Sequence, residues 1–197
     1  TKRKVAKMPT TTNKVKFGLK NVHYAPITSI ADDGTVTYGT VGEIKGAVNL
    51  SMDPNGGIDI FFADNGAYYQ QNNSSGFTGT LEVALVPKEF KVACLGAKTD
   101  SNGVLFDDDN AVITPFALMF EFDGDKHKTR HILYNCTATK TAVSSATTTQ
   151  TKDVQTETLN LNAVPLPNGY PHAQATENEA TVYAGWYTAP YQYTTTP

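Results

Sequence analysis

Apolar and polar positions alternate with a period of two over most of this chain, the mark of half-buried strands. Val15, Phe17 and Leu19 alternate with Lys14, Lys16, Gly18 and Lys20, and the pattern resumes on the other parity with Val22 and Tyr24 after Asn21, as across a bulge. Asp32-Asp33-Gly34-Thr35 reads as a hairpin turn into Val36 and Tyr38. Val48, Leu50 and Met52 alternate with Asn49, Ser51 and Asp53 up to Pro54-Asn55-Gly56-Gly57, which reads as a breaker; Ile58, Ile60 and Phe62 follow with the same period. Phe77, Gly79, Leu81, Val83 and Leu85 are expected to face inward, with Thr78, Thr80, Glu82 and Ala84 outward. One face apolar and one polar implies antiparallel sheets.

The segment after Pro87 breaks the alternation. Phe90, Ala93 and Cys94 share a face at helical spacing and Gly96 is placed to stop the turn, so a two-turn helix is expected over Lys88 to Leu95. A helix this short needs a sheet to dock on. Alternation returns twice: Phe116, Leu118, Phe120 and Phe122 against Ala117, Met119, Glu121 and Asp123, then Ile132, Tyr134, Cys136 and Ala138 against His131, Leu133, Asn135 and Thr137. Asp123-Gly124-Asp125-Lys126 supplies the turn between them, Thr141 to Thr151 reads as a linker or exposed strand, and Leu159, Leu161 and Ala163 form a last strand. Ala173 to Tyr187 suggests a short helix with Val182, Tyr183 and Trp186 inward, and Pro190 to Pro197 holds too little to build a core. The expected fold is mainly β: two packed antiparallel sheets, a β-sandwich or open barrel, flanked by one short α-helix and carrying extended N- and C-terminal arms. The divisions are a basic arm over 1–13, a β domain over 14–164 with a long loop at 53–79, and a C-terminal extension over 165–197.

Composition adds little until charge is placed along the chain. At 197 residues with 40% apolar and 18% charged residues, one domain with a real core is expected. No apolar run is long enough for a membrane helix and the start lacks a signal-peptide pattern, so the protein reads as cytosolic when made. On that basis Cys94 and Cys136 are expected as buried thiols, and the sequons at Asn73 and Asn135 lose their meaning. The first twenty residues hold seven basic groups and no acid, whereas the remainder has nine basic against nineteen acidic residues. A basic arm on an acidic body reads as a solvated tail, a nucleic-acid contact, or an arm laid on a neighbouring subunit through Lys2, Arg3, Lys4 and Lys7.

Catalytic chemistry is nearly absent. His127 and His131 are a two-histidine candidate only if the segment between them is extended, and Asp107-Asp108-Asp109 and Asp123-Gly124-Asp125 lack the full spacing of a calcium loop. Neither a phosphate-cradling glycine loop nor a nucleophile elbow occurs. No enzyme activity, metal or cofactor is expected.

Phe61-Phe62-Ala63-Asp64-Asn65, Tyr68-Tyr69, Gly76-Phe77-Thr78-Gly79-Thr80-Leu81-Glu82-Val83-Ala84-Leu85-Val86-Pro87 and Phe90 come in an order that resembles the tail tube (major tail) proteins of long-tailed bacteriophages. The resemblance continues through Leu95-Gly96, Phe116 to Asp125 and Arg130-His131-Ile132-Leu133-Tyr134-Asn135-Cys136-Thr137. It implies two packed sheets with a helix and flexible termini, hexameric rings stacked into a hollow virion tube, and viral DNA passing through without specific binding. It also implies tail terminator, tape measure and distal tail proteins as partners, no membrane, and host cytoplasm as the site before assembly. Tail tube proteins engage the next ring with a long loop, which makes Asp64, Asn65, Tyr68 and Tyr69 the inter-ring candidates. The bland alternative is a pair of ordinary hairpins with two of the aromatics in the core. Asn49, Ser51, Asp53, Thr80, Glu82, Glu121 and Asp123, read as exposed strand positions, are the lumen candidates. Two other classes stay open: a monomeric adhesion or carbohydrate-binding module with a Tyr and Trp platform, and the tube of a contractile injection system.

Overall fold

The computed structural model describes residues 18–124, 127–142 and 154–194. The basic arm with Lys2, Arg3, Lys4 and Lys7, the start of the first expected strand, Asp125, Lys126 and nearly all of the Thr-rich linker lie outside the described residues.

The strands follow one another as β1 (Leu19–Ile30), β2 (Val36–Tyr38), β3 (Gly42–Glu43), β4 (Ala47–Ala63) and β5 (Gly66–Val83). Helix α1 (Lys88–Cys94) comes next, then β6 (Lys98–Thr99), β7 (Leu105–Phe106), β8 (Phe116–Phe122), β9 (Arg130–Ala138), β10 (Glu157–Ala163), β11 (His172–Ala175) and α2 (Ala180–Gly185). The fold is mainly β, as expected. In place of two separate packed sheets there is one nine-stranded antiparallel sheet in the order β2-β1-β8-β9-β10-β5-β4, with β3 also on β1 and β11 also on β9. A two-stranded sheet, β6-β7, stands apart. Because β3 pairs with β1 and runs on through Ile44 to Gly46 into β4, the sheet curls back on itself as an open barrel.

The barrel encloses the first apolar core, built from Val22, Tyr24, Leu81, Val83, Phe116, Leu118, Leu133, Cys136, Leu159 and Leu161. Helix α1 plugs one mouth. Its Phe90 stands edge-on to Tyr24 at 4.9 Å and to Phe116 at 5.1 Å, and Gly96 (φ 74°) ends it with the Ala97 N–H donating to the Lys91 carbonyl. Phe90 and Cys94 are fully buried, as the helical spacing predicts. Cys94 and Cys136 are both free and buried, and burial pushes both thiols up to about 12.

A second core lies on the outer side of β8 and β9 and joins Ala25, Ile27, Val36, Ala117, Met119, Ile132, Tyr134, Leu166, Ala175 and Trp186. Its cover is residues 165–194. The sequence suggests a single helix over Ala173 to Tyr187; instead β11 pairs with β9 and only Ala180–Gly185 is helical. Trp186 is buried and its indole N–H donates to the His131 carbonyl. Pro190 is buried as well. Further on, the Gln192 side chain accepts from the Val36 N–H and donates to its carbonyl, in the manner of a neighbouring strand.

This second layer overturns the half-buried reading of β8, whose Ala117 and Met119 are as buried as Phe116 and Leu118. It also changes β9. Ile132 and Tyr134 face the second core and Leu133 the first; left-handed Asn135 (φ 46°) then shifts parity so that Cys136 and Ala138 join Leu133. The shift expected at Asn21 is present, with φ 52° and a register break between Lys20 and His23. Two inward expectations fail at strand irregularities: Val48 is the extra residue of a bulge between Ala47 and Asn49, and Leu85 lies beyond the end of β5, so both are exposed.

Trp186→Ala should therefore lower the free energy of unfolding by about 3–5 kcal/mol, the cost of emptying a large core site. Urea denaturation followed by fluorescence or circular dichroism reads this directly, and a change under about 1 kcal/mol would mean that residues 165–194 are dispensable cover.

Candidate assembly surface

Strands β4 and β5 run far beyond the barrel. β10 pairs with β5 only from Val83 to Phe77, opposite Glu157 to Ala163, whereas β4 and β5 stay paired from Ala47↔Val83 to Ala63↔Gly66. The Pro54-Asn55-Gly56-Gly57 breaker and the Asn72-Asn73-Ser74-Ser75-Gly76 turn are thus continuous strand. The loop expected at 53–79 is a hairpin. β4 is the edge strand, where a proline is tolerated. At the root, Gly76 (φ 105°) admits no side chain, since a Cβ would lie 1.9 Å from the Ala163 carbonyl oxygen. At the tip, Asp64 and Asn65 have φ of 51° and 62°, the paired left-handed conformation of a two-residue type I′ turn. Asp64-Asn65-Gly66 between aromatic-rich runs is the local signal for that turn, and the loop reading overlooked it.

The projecting part has no core of its own. Ile58, Ile60, Phe61, Phe62, Tyr68 and Tyr69 are all exposed, Tyr68 at 73%. Phe61 stands opposite Tyr69, and Tyr68 is the extra residue of a bulge before Phe62↔Ala67. Ile58 and Ile60 stand opposite Asn72 and Gln70 on the other face. Of the aromatics in this region Phe77, at the root, packs against the barrel core, while Phe61, Phe62, Tyr68 and Tyr69 do not. Of the four inter-ring candidates, Asp64 and Asn65 form the turn and Tyr68 and Tyr69 flank it.

The outer face of the barrel wall β4-β5-β10-β9 is polar in three cross-strand rows. Asn49, Glu82 and Thr158 form one; Ser51, Thr80 and Asn160 the second, where the Asn160 amide donates to Thr139 Oγ1 at 3.4 Å; Asp53, Thr78, Asn162 and Thr137 the third. Asp53 and Glu82 are the charges in these rows, and Glu82 accepts a 2.6 Å hydrogen bond from Thr156. Five lumen candidates, Asn49, Ser51, Asp53, Thr80 and Glu82, thus share one surface.

Glu121 and Asp123 do not join it. They sit on or just after β8, across the barrel. Glu121 is not exposed: at 5% accessibility it accepts from Arg130 Nε at 3.1 Å, from Asn21 at 2.7 Å and from the Tyr187 hydroxyl at 3.2 Å. Arg130 lies over the Tyr183 ring at 3.8 Å and the Tyr187 ring at 4.7 Å, so the pair clamps α2 to the sheet. Asp123 is exposed and paired with Lys20.

No group of three metal-ligating side chains occurs among the described residues. Asp108 and Asp109 bind Lys98 and Lys140. His131 meets His172, from β11, with Nδ1 and Nε2 3.2 Å apart, a pairing that only tertiary structure forms. His131 also stacks on Phe120, at 5.3 Å between centroids. The two rings line an open groove of about 500 Å³ at the hairpin root, together with Leu50, Ser51, Met52, Phe77, Phe122, Leu133 and Gln174.

No known protein family matches the chain, and no curated protein matches it. Among solved structures, a chain of the "Cryo-EM structure of the anti-feeding prophage (AFP) baseplate, 6-fold symmetrised" is similar over 84% of this chain and 97% of that one, at 10% identity and a TM-score of 0.43. A likeness this loose carries nothing about function from one chain to the other.

Burial lowers the proton affinity of His172 below the ordinary 6.5, so the unfolded chain binds more protons at this site and stability rises with pH. The contribution is complete above the unfolded value and is lost as pH falls through the folded one. Thermal melts should show a larger drop in Tm between about pH 7 and pH 5 for the wild type than for His172→Gln. Parallel pH profiles for the two would contradict it.

Proposed function

We propose that the protein is a structural subunit that polymerises with copies of itself into the tube of a phage-tail-like particle, in stacked hexameric rings enclosing a DNA conduit. The observation that carries this reading is the hairpin: strands of 17 and 18 residues whose outer halves expose six large apolar side chains. Two-stranded ribbons without a core are marginal in water, and exposed apolar patches of this kind mark interaction surfaces. The resemblance of this region to tail tube proteins points the same way. The reading covers the tail of a long-tailed phage and the tube of a contractile injection system, which differ in whether a sheath surrounds the tube.

The sparsely acidic wall suits a lumen. A surface of Thr, Asn and Ser with sparse carboxylates offers DNA phosphates no cationic partner, so DNA slides along it instead of binding. We assign Asn49, Ser51, Asp53, Thr80 and Glu82 to that surface and leave Glu121 and Asp123 out. The basic arm, through Lys2, Arg3, Lys4 and Lys7, is proposed to lie on the acidic surface of an adjoining subunit. Tail terminator, tape measure and distal tail proteins are the proposed partners in the particle. A monomeric sugar-binding module is less well supported, since Trp186 is buried and unavailable to a platform.

Replacing Tyr68 and Tyr69 together by Ser should leave the monomer's Tm unchanged and suppress polymers in sedimentation and negative-stain microscopy, each lost aromatic costing about 2 kcal/mol or more at a hot spot. A monomer at every concentration for the wild type would refute the assembly reading itself. Tubes carrying Asp53→Lys and Glu82→Lys should retain DNA in a salt-dependent way where wild-type tubes do not. Equal, negligible retention would place this wall away from the channel.

A further inference from the structure

We propose that the groove at the hairpin root is the receptor for the aromatic hairpin tip of a second copy of this chain. It deepens the assembly reading and rests on it, because it names the surface that the exposed aromatics meet.

The groove is the barrel's second mouth. Helix α1 fills the end near Phe116 and Val83, whereas the end bounded by Leu50, Met52, Phe77, Phe122, His131 and His172 stays open. Its lining is apolar and aromatic, and its ionisable side chains are the two histidines. The volume, about 500 Å³, lies in the range of cavities that bury a compact ligand. Phe77 meets His172 edge-on at 6.1 Å and Phe122 meets His131 edge-on at 5.4 Å, so a further ring would enter an existing cluster of ring faces and edges. The tip brings Phe61, Phe62, Tyr68 and Tyr69, the chemistry this lining accommodates. The tyrosine hydroxyls can hydrogen-bond at the rim, where the exposed Gln174 stands.

Docking within one chain is excluded by reach. The groove is formed at the root by Leu50, Met52 and Phe77, and the tip lies at Asp64-Asn65, roughly 40 Å away along a paired ribbon at about 3.3 Å per residue. A ribbon whose strands remain hydrogen-bonded to the turn cannot fold back onto its own base. The match of tip to groove is therefore satisfied between copies. Because tip and groove are different surfaces, the contact is heterologous, and a docked pair keeps one free groove and one free tip for further copies.

The test is a chain carrying Ala67→Cys and Gln174→Cys, both exposed positions and neither one of the tip aromatics, oxidised by dissolved oxygen at concentrations where the wild type associates. Two thiols give one disulfide with loss of two electrons and two protons to the oxidant, and the native cysteines are buried and do not compete. The expected product is a ladder of covalent oligomers on non-reducing gels, absent from either single variant and collapsed by reductant. Gln174→Trp, which fills the groove from its rim without touching the core, should raise the concentration needed for polymers by on the order of tenfold or more, as the loss of one docking contact does. Rings or tubes that form with no tip-to-groove crosslink would overturn this proposal and leave the assembly reading standing. A crosslinked dimer with nothing larger would support the docking and overturn the polymer. A chain that never associates would sink both.

Discussion

Strand β8 is buried on both faces, and the rest of the molecule depends on that. Phe116, Leu118 and Phe120 face the barrel core while Ala117 and Met119 face the second core. A strand with two apolar faces needs a cover on each. The barrel closes over one through β10, β5, β4 and α1; the chain after residue 164 returns to close the other. The buried Glu121 at the end of β8 would be costly alone, and it is matched by Arg130 with Asn21 and Tyr187 completing its hydrogen bonds. That clamp positions α2 and sets Trp186 into the second core.

The hairpin follows a different physical rule. Beyond Phe77 its two strands pair only with each other, which leaves one edge of each to the solvent and no core beneath either. Its side chains gain nothing from the barrel. A type I′ turn at Asp64-Asn65 matches the twist of the ribbon, and glycines at 56 and 76 take the bends at its root. The result is an extended arm that displays Phe61, Phe62, Tyr68 and Tyr69 to the surroundings at one end of a barrel whose mouth at that end is open. Stability and association are thus divided in space, with apolar residues of the body spent on the fold and those of the arm left for contact.

The polar wall completes the division. Three cross-strand rows of Asn, Ser, Thr and two carboxylates cover the outside of β4, β5, β10 and β9, while the same strands send Leu50, Leu81, Leu159 and Ala138 inward. Thr and Asn of this size give a flat surface with few protruding charges. Such a face is ill suited to tight binding and well suited to sliding contact, the property proposed for it here.

Local pattern in the sequence determined most of the strands, the bulge at Asn21, the helix after Pro87 and the polar-outward positions of the β4-β5 wall, because each depends on neighbours two to four residues away. The same pattern misread β8 and β9, since a period of two reports that one face is apolar and is silent on whether a distant segment covers the other. It misread the hairpin for a related reason: Gly, Asn and Pro lower strand propensity, yet a partner strand in register holds them extended. Only the tertiary structure separated Glu121 from the lumen candidates, by bringing up Arg130 and Tyr187, and only it paired His131 with His172 across 41 residues. The groove at the hairpin root was decided in the same way, because its walls come from five separate strands whose meeting is a property of the closed barrel and of no local run of residues.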